Sequence, residues 1–547
     1  MAFCFNSHRR VLRLATHWHP LFSTTQLKSH HEIRLFTATA TAAAAAQIPH
    51  DSEIFNYTSG RWLYNEKKRF DERRLIFNVS ALLEAAAKSV NRTKDDIKSF
   101  CKLAEGGFNR VFEFTMRDGL QVIARLPYPS TQPKLLATAS EVATMDLVRR
   151  HGVPTPIVYG YSADANNPVG SEYIMMEKVP GRCLGDIWYE LSDKERVTVL
   201  GSIVDQEAKL FGISFPAYGS VYNTADLPQH MGHAKLEAEA GRFCVGPDVS
   251  LKYWFETRSQ LEISRSAAMT CQQVLEGGAQ KELALQTHGK PRLPFDGEYR
   301  EMFGYNKVDP GEHVSSLENY LKIAAYIVPH QDWLCKPVIR HPDLNQNNIF
   351  VDDDYSEALK KPEYPSNLDE LDEDDRKSEI ELYRRRLTHF YYTEATCTKL
   401  SSHYDALAHD KGLVRKRLYC LAVEPWEGNS IPLKANLALV AKCWSEFMRT
   451  ARESDYKAAP CPISFQEKDA EETVRKSLEQ EKMDKTMRML RDGIGISTNC
   501  WVSFEKYDYA VAAANEVKAM ALGFAESDHE REMIVQHWPF ADFDEDG

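Results

Sequence analysis

No Cys-x-x-Cys pair occurs among the eleven cysteines of this 547-residue chain. That leaves no zinc or dithiol redox motif, and an odd, scattered count fits a reducing compartment with buried thiols. Long apolar runs are also missing. Residues 320–329 form one of the longest, yet they contain Lys322 and are too few to cross a bilayer. Positive charge is in short supply as well: the formal net charge is −12, which argues against broad nucleic-acid binding. No internal repeat is found. What is present suits a soluble globular protein, with 43% hydrophobic and 27% charged residues. The length allows two or three domains and a substantial core.

Acidic residues are nearly absent from the first fifty positions. Residues 1–48 carry Arg9, Arg10, Arg13, Lys28 and Arg34 against one acid, Glu32. Serine and threonine are frequent, and a Thr/Ala tract fills 37–46. No continuous apolar core precedes Pro20, so a secretory signal does not fit. Basic, hydroxyl-rich, acid-poor composition predicts a mitochondrial transit peptide over residues 1–50, which stands outside the fold.

The folded part is expected to open near Phe55 with a packed lead-in segment containing Tyr57, Trp62, Leu63 and Tyr64. Apolar periodicity predicts a helix over 79–90. Strands follow over 97–103, 111–116 and 121–126, the last two joined by Arg117-Asp118-Gly119, a strong hairpin signal. A helix is expected over 137–150, then strands over 157–161 and 172–177. The second half reads as mainly helical, over 192–211, 315–328, 380–388, 433–451 and 470–490. The acidic run within 367–377 reads as a helix start or solvated loop, the basic run 411–417 as an exposed helix face, and 542–547 as a frayed acidic end.

Two features carry chemistry. Gly106-Gly107 forms the tip of the first hairpin, where glycines let backbone N–H groups approach a polyphosphate, with Phe108 closing over the top. Arg125 ends Val122-Ile123-Ala124-Arg125 on the third strand, where phosphotransferases of the kinase type place a phosphate-binding cation. Glu141 on the next helix is its natural ion-pair partner. Further on, Arg340-His341-Pro342-Asp343-Leu344-Asn345-Gln346-Asn347-Asn348 fits H-x-D-x-x-x-x-N, followed by the apolar strand Ile349-Phe350-Val351. In that pattern the Asp takes a proton from the attacking hydroxyl and the Asn five positions on holds magnesium.

This order of parts resembles the aminoglycoside phosphotransferase and choline-kinase-like family, and within it a fungal mitochondrial branch. The residues that carry the likeness are Glu105-Gly106-Gly107-Phe108-Asn109, Val122-Ile123-Ala124-Arg125-Leu126-Pro127, Met176-Glu177-Lys178-Val179-Pro180-Gly181 and His341-Pro342-Asp343-Leu344, with Pro425-Trp426-Glu427-Gly428 and Cys461-Pro462-Ile463. The resemblance implies an α+β, protein-kinase-like two-lobed fold. A β-rich lobe would span 55–179, with a hinge at 176–181. A helical lobe would span 180–547, with the catalytic loop at 340–352 and a C-terminal helical extension. It implies Asp343 as catalytic base, Asn348 as magnesium ligand, Arg125 as strand cation and Glu141 as its partner. ATP would be the phosphate donor and a small hydroxylated molecule the acceptor.

One part of that pattern is missing. Relatives carry a second magnesium-binding Asp soon after the loop, in a segment similar to Ile-Ile-Asp-Trp. Here Val351 runs into Asp352-Asp353-Asp354-Tyr355, and Asp332-Trp333 lies on the wrong side of the loop. One of the three aspartates could substitute, although a triple-Asp turn reads first as a solvated loop. A second function therefore stands beside phosphoryl transfer: a catalytically silent kinase-like scaffold that binds nucleotide or a protein partner. No specificity motif identifies the substrate.

Overall fold

The computed structural model describes residues 52–341, 350–351, 368, 373–407, 409, 411–449 and 459–545. A five-stranded antiparallel sheet comes first. Its strands are β1 (Ile97–Glu105), β2 (Asn109–Met116), β3 (Gln121–Pro127), β4 (Val158–Ser162) and β5 (Tyr173–Glu177), in the order β1-β2-β3-β5-β4. Helix α1 (Val79–Ser89) precedes the sheet, and α2 (Leu136–Arg150) connects β3 to β4. The expected bounds hold within two residues at each of these elements. Gly119 sits at φ +91° in the β2–β3 turn, a conformation open to glycine at little cost.

Alternation along the strands sorts side chains to two faces. Phe112, Phe114 and Met116 of β2 and Val122, Ala124 and Leu126 of β3 pack with Phe100, against α1 and the lead-in residues Phe55, Tyr57 and Trp62. Ile123, Ile174 and Met176 pack on the opposite face, against Val142 of α2. Arg125 shares the parity of Ile123, so it points toward α2. Register places it opposite Val111 on one side and Ile174 on the other.

Beyond the sheet the chain is mostly helical, which completes the kinase-like, two-lobed arrangement. The longer helices are α3 (Asp193–Phe211), α4 (Cys271–Gln286), α5 (Gly311–Ile327), α6 (Glu373–Lys399), α7 (Gly412–Val423), α8 (Ile431–Lys442), α9 (Glu467–Ile494) and α10 (Tyr507–Gly523). Leu317, Tyr320 and Ile323 of α5 meet Leu418 and Ala422 of α7 and Leu433 and Leu437 of α8 in one core. A second core joins Val199 and Leu200 of α3 to Tyr383, Leu387 and Tyr391 of α6.

Several expectations shift. The helix predicted over 433–451 breaks at Cys443, where φ −103° and ψ 24° leave the helical region, and a short helix, Trp444–Met448, buries Trp444 and Phe447. The acidic run contributes the start of α6 at Glu373, and the basic run lies at the start of α7, with Arg417 bonded to Glu481 at 2.9 Å. A small sheet of Ser220–Asn223, Phe243–Gly246 and Ala234–Lys235 interrupts the helical half. The acidic end is docked through Glu545: Asn65 Nδ2 donates to it at 2.7 Å, Lys68 lies at 3.0 Å, and Arg69 bonds it as well. Strand Gly60–Trp62 also pairs with Trp501–Ser503, so the lead-in segment is sealed by the C-terminal region. Among the described cysteines, none of them in a disulfide, Cys244 and Cys500 are buried while Cys397 and Cys443 are exposed. General thiol burial is therefore not the pattern.

Candidate functional site

The glycine hairpin is braced at its base and open at its tip. Gly106 N–H donates to the Asn109 carbonyl at 2.9 Å, and the Phe108 carbonyl accepts from Tyr128 N–H at 2.9 Å and Thr131 Oγ1 at 2.7 Å. The Phe108 side chain is 59% exposed. No atom lies within 4 Å of where a Cβ on Gly107 would stand, so a bulky anion can approach that backbone closely. Below, Glu105 and Arg110 form an ion pair at 3.0 Å, with side chains 1% and 0% exposed. Glu105 also accepts from Thr58 N–H at 2.7 Å and Ser59 Oγ at 2.8 Å, while Arg110 donates to the Ile54 carbonyl at 3.0 Å. A buried pair is costly unless its remaining groups are bonded, and here the Ile54 and Arg73 carbonyls accept from the two terminal guanidinium nitrogens.

Arg125 and Glu141 meet as an ion pair, joining β3 to α2. With the Asn109 amide turned so that its oxygen faces β3, that oxygen accepts from Arg125 Nε at 3.0 Å and Nη2 at 2.7 Å. The guanidinium is thus fixed from two sides, yet three of its five N–H groups suffice for these bonds, and two remain to meet an anion beneath the hairpin. Burial pushes the Glu141 carboxyl above its ordinary value, and Arg125 works against that.

The catalytic-loop sequence is anchored at both ends. Before it, Arg340 lies 3.6 Å from Glu207 of α3, which also accepts from Tyr392 of α6 at 2.7 Å. After it, Phe350 and Val351 pair antiparallel with Cys183 and Arg182, directly beyond the hinge. Gly181 turns that hinge at φ +102°, a conformation that other residues adopt only under strain. Asp343, Asn348, the run Asp352-Asp353-Asp354 and residues 1–50 lie outside the described residues. The structure therefore brings Gly106, Gly107, Phe108, Arg125 and Glu141 into one region and shows where the loop begins and ends. Sequence reasoning did not give Asn109, Glu105, Arg110 or Glu207 a role. Arg110 could have been found: it falls on the buried parity of β2, so it demands a counter-charge.

The signature Pro425-Trp426-Glu427-Gly428 caps a buried charge cluster in the large lobe. Arg258 binds Glu282 through two parallel bonds, 2.6 and 2.8 Å, and Lys281 lies 2.9 Å from the same carboxylate. Trp426 N–H donates to Glu282 at 3.2 Å. Burial alone would raise the Glu282 carboxyl, but the two cations pull it below its ordinary value.

A second carboxyl, Glu298, sits between the 484–491 part of α9 and the C-terminal segment. Its side chain is 10% exposed, and Arg491 is 3.5 Å away. Burial, aided by Asp296, pushes it from 4.5 up to about 7. The folded chain therefore holds this proton more tightly than the unfolded chain. The stability this contributes is complete below pH 4.5 and is lost as pH rises to about 7, on the order of 3 kcal/mol. Glu298→Gln, which stays neutral, should raise the thermal unfolding midpoint at about pH 8 and leave it nearly unchanged at about pH 5. Equal loss at both pH values would mean that the Arg491 contact dominates instead.

Comparison with known proteins places the matches over these elements. Residues 99–359 match the phosphotransferase enzyme family. A subtelomeric hrmA-associated cluster protein of Aspergillus fumigatus is 27% identical over 519 residues, which cover 82% of this chain and 98% of that one. The mitochondrial altered inheritance of mitochondria protein 9 of Lachancea thermotolerans is 24% identical over 378 residues, or 56% of this chain and 60% of that protein. Among solved structures, a candidate fructosamine-3-kinase from Thermobifida fusca aligns with TM-score 0.30 and 13% identity, over 62% of this chain and 90% of that one.

Proposed function

Because this chain carries a domain of the phosphotransferase enzyme family over residues 99–359, we propose that it transfers a phosphoryl group from ATP, with magnesium, to a small hydroxylated molecule in mitochondria. The observation that carries this reading is Arg125, held between Asn109 and Glu141 under an open glycine hairpin. The hairpin backbone and the two remaining guanidinium N–H groups suit a polyphosphate. Asp343 would accept the acceptor's hydroxyl proton, and Asn348 would hold magnesium, which offsets phosphate charge when bound. In this reading residues 1–50 direct import, residues 55–179 bind the nucleotide, and residues 180–547 supply the loop and the acceptor site. No helix among the described residues is long and apolar enough to cross a membrane. The second reading, a silent scaffold that keeps nucleotide binding or binds a partner, is favoured by one observation: Val351 is followed by Asp352-Asp353-Asp354 and not by an Ile-Ile-Asp-Trp-like segment.

Arg125→Ala tests the nucleotide site common to both readings. Hydrogen bonds to charged groups contribute about 1.5–3 kcal/mol, so Mg-ATP affinity should fall roughly ten- to a hundredfold by titration calorimetry, with the fold retained. Equal affinity in the variant and the parent would remove the support for the hairpin site. Location is tested separately. Residues 1–50 fused to a fluorescent reporter should carry it into mitochondria, and a cytosolic reporter would refute import by this segment.

A further inference from the structure

Two cysteines distant in sequence come together just before the catalytic loop. Cys271 opens α4, and Cys335 ends the one-turn helix Asp332–Cys335. The two thiols lie near enough to influence each other, with the Tyr218 hydroxyl close to Cys271, and the Cys335 thiol donates to the Pro329 carbonyl at 3.5 Å. Tyr218 also fixes the surroundings. It exchanges two backbone hydrogen bonds with Ala268, each 2.8 Å, and its hydroxyl donates to the Cys335 carbonyl. The segment that leads into α4 and the short helix that leads toward Arg340 are thus both tied to Tyr218. Neither cysteine is fully buried.

We propose that Cys271 and Cys335 form a reversible disulfide that ties the start of α4 to the segment entering the catalytic loop. Neighbouring thiols on segments already tied to one tyrosine need little backbone movement to join. The oxidant is a hydroperoxide. One thiolate attacks the peroxide oxygen and becomes a sulfenic acid, with water released. The second sulfur then displaces the hydroxyl as a second water, so two thiols and one hydrogen peroxide give one disulfide and two waters. Burial and the neighbouring Cys335 raise the Cys271 thiol to about 11, with Tyr218 and then Arg415 opposing.

The test uses the full chain and does not require phosphoryl transfer. Reduced protein is treated with hydrogen peroxide, alkylated, digested without reductant and mapped by mass spectrometry. The expected result is a Cys271–Cys335 linked peptide that dithiothreitol removes. The thermal unfolding midpoint should rise on oxidation of the parent and stay unchanged in Cys335→Ser, since a cross-link restricts the unfolded chain. The exposed thiols Cys397 and Cys443 report that the oxidant has acted. Oxidation at those two with Cys271 and Cys335 still alkylated as free thiols would overturn the proposal. So would a link from either cysteine to a different partner, or a Cys271–Cys335 link that lowers the midpoint.

Discussion

Insertion of an Ile-Ile-Asp-Trp segment between Val351 and Asp352 should raise ATP turnover roughly a hundredfold or more over the chain as it stands. Phosphoryl transfer depends on position and on charge stabilisation around the phosphates, with little covalent chemistry for the protein to perform. In the proposed function Asn348 would be a neutral ligand, and the sequence places no Ile-Ile-Asp-Trp-like carboxylate after Val351. Restoring that charge is worth on the order of a few kcal/mol in the transition state, which sets the expected ratio. The insertion point suits the fold. Val351 is paired with Arg182 beyond the hinge, so an added strand would continue from a fixed edge. If Asp343 is the base proposed above, Asp343→Ala in the inserted form should then remove the gain, because the acceptor hydroxyl would lose the group that takes its proton. Circular dichroism must show that each form is folded. Robust turnover by the uninserted chain would refute the silent-scaffold reading. A folded inserted form with no turnover on any of a panel of small alcohols would count against phosphoryl transfer.

The sheet was legible because its signals are local. Strand β2 alternates buried and half-buried residues up to Asp118-Gly119, and β3 beyond that turn is a short apolar run packed on both faces. The cation on β3 and its acidic partner on α2 could be named for the same reason: each sits at a fixed offset from a turn or a helix start. What could not be read is what depends on distant chain. Nothing near Trp62 announces that its strand pairs with Trp501–Ser503, or that Glu545 settles on Arg69. The segment 501–503 is three residues long and carries no period. The break at Cys443 was hidden because the apolar pattern continues through it. The helical bend comes from the burial of Trp444 and Phe447 against another part of the lobe. Arg110, Glu105 and Glu207 are ordinary charges by composition, and only the third dimension pairs them. Cys271 and Cys335 are a further case, since their spacing resembles no motif.

Glu282→Gln should destabilise the large lobe by about 3–5 kcal/mol. Glu282 is 0% exposed, and Arg258 and Lys281 beside it are 2% and 1% exposed. Its carboxylate is the shared counter-charge of both cations. It also holds Trp426 N–H, and Lys281 in turn donates to the Val423 carbonyl at 2.8 Å. The cluster thereby fastens α4, the 251–260 segment and the 423–427 loop to one another. Buried His313 packs over Trp426, ring centroids 6.0 Å apart, and burial lowers it to about 4. It therefore stays neutral and cannot take over a charge role at neutral pH. The amide of Gln keeps the shape and one acceptor but leaves two cations in low dielectric without a counter-charge. The thermal midpoint should drop markedly, and proteolysis should open the 251–286 region first. Adding Arg258→Met to Glu282→Gln should recover part of the loss, because it removes one of the stranded charges, and the double-mutant cycle gives the coupling directly. An unchanged midpoint in Glu282→Gln would mean that the cluster is solvated in solution. A double variant worse than the sum of the singles would mean that Arg258 acts through packing, with its pairing to Glu282 secondary.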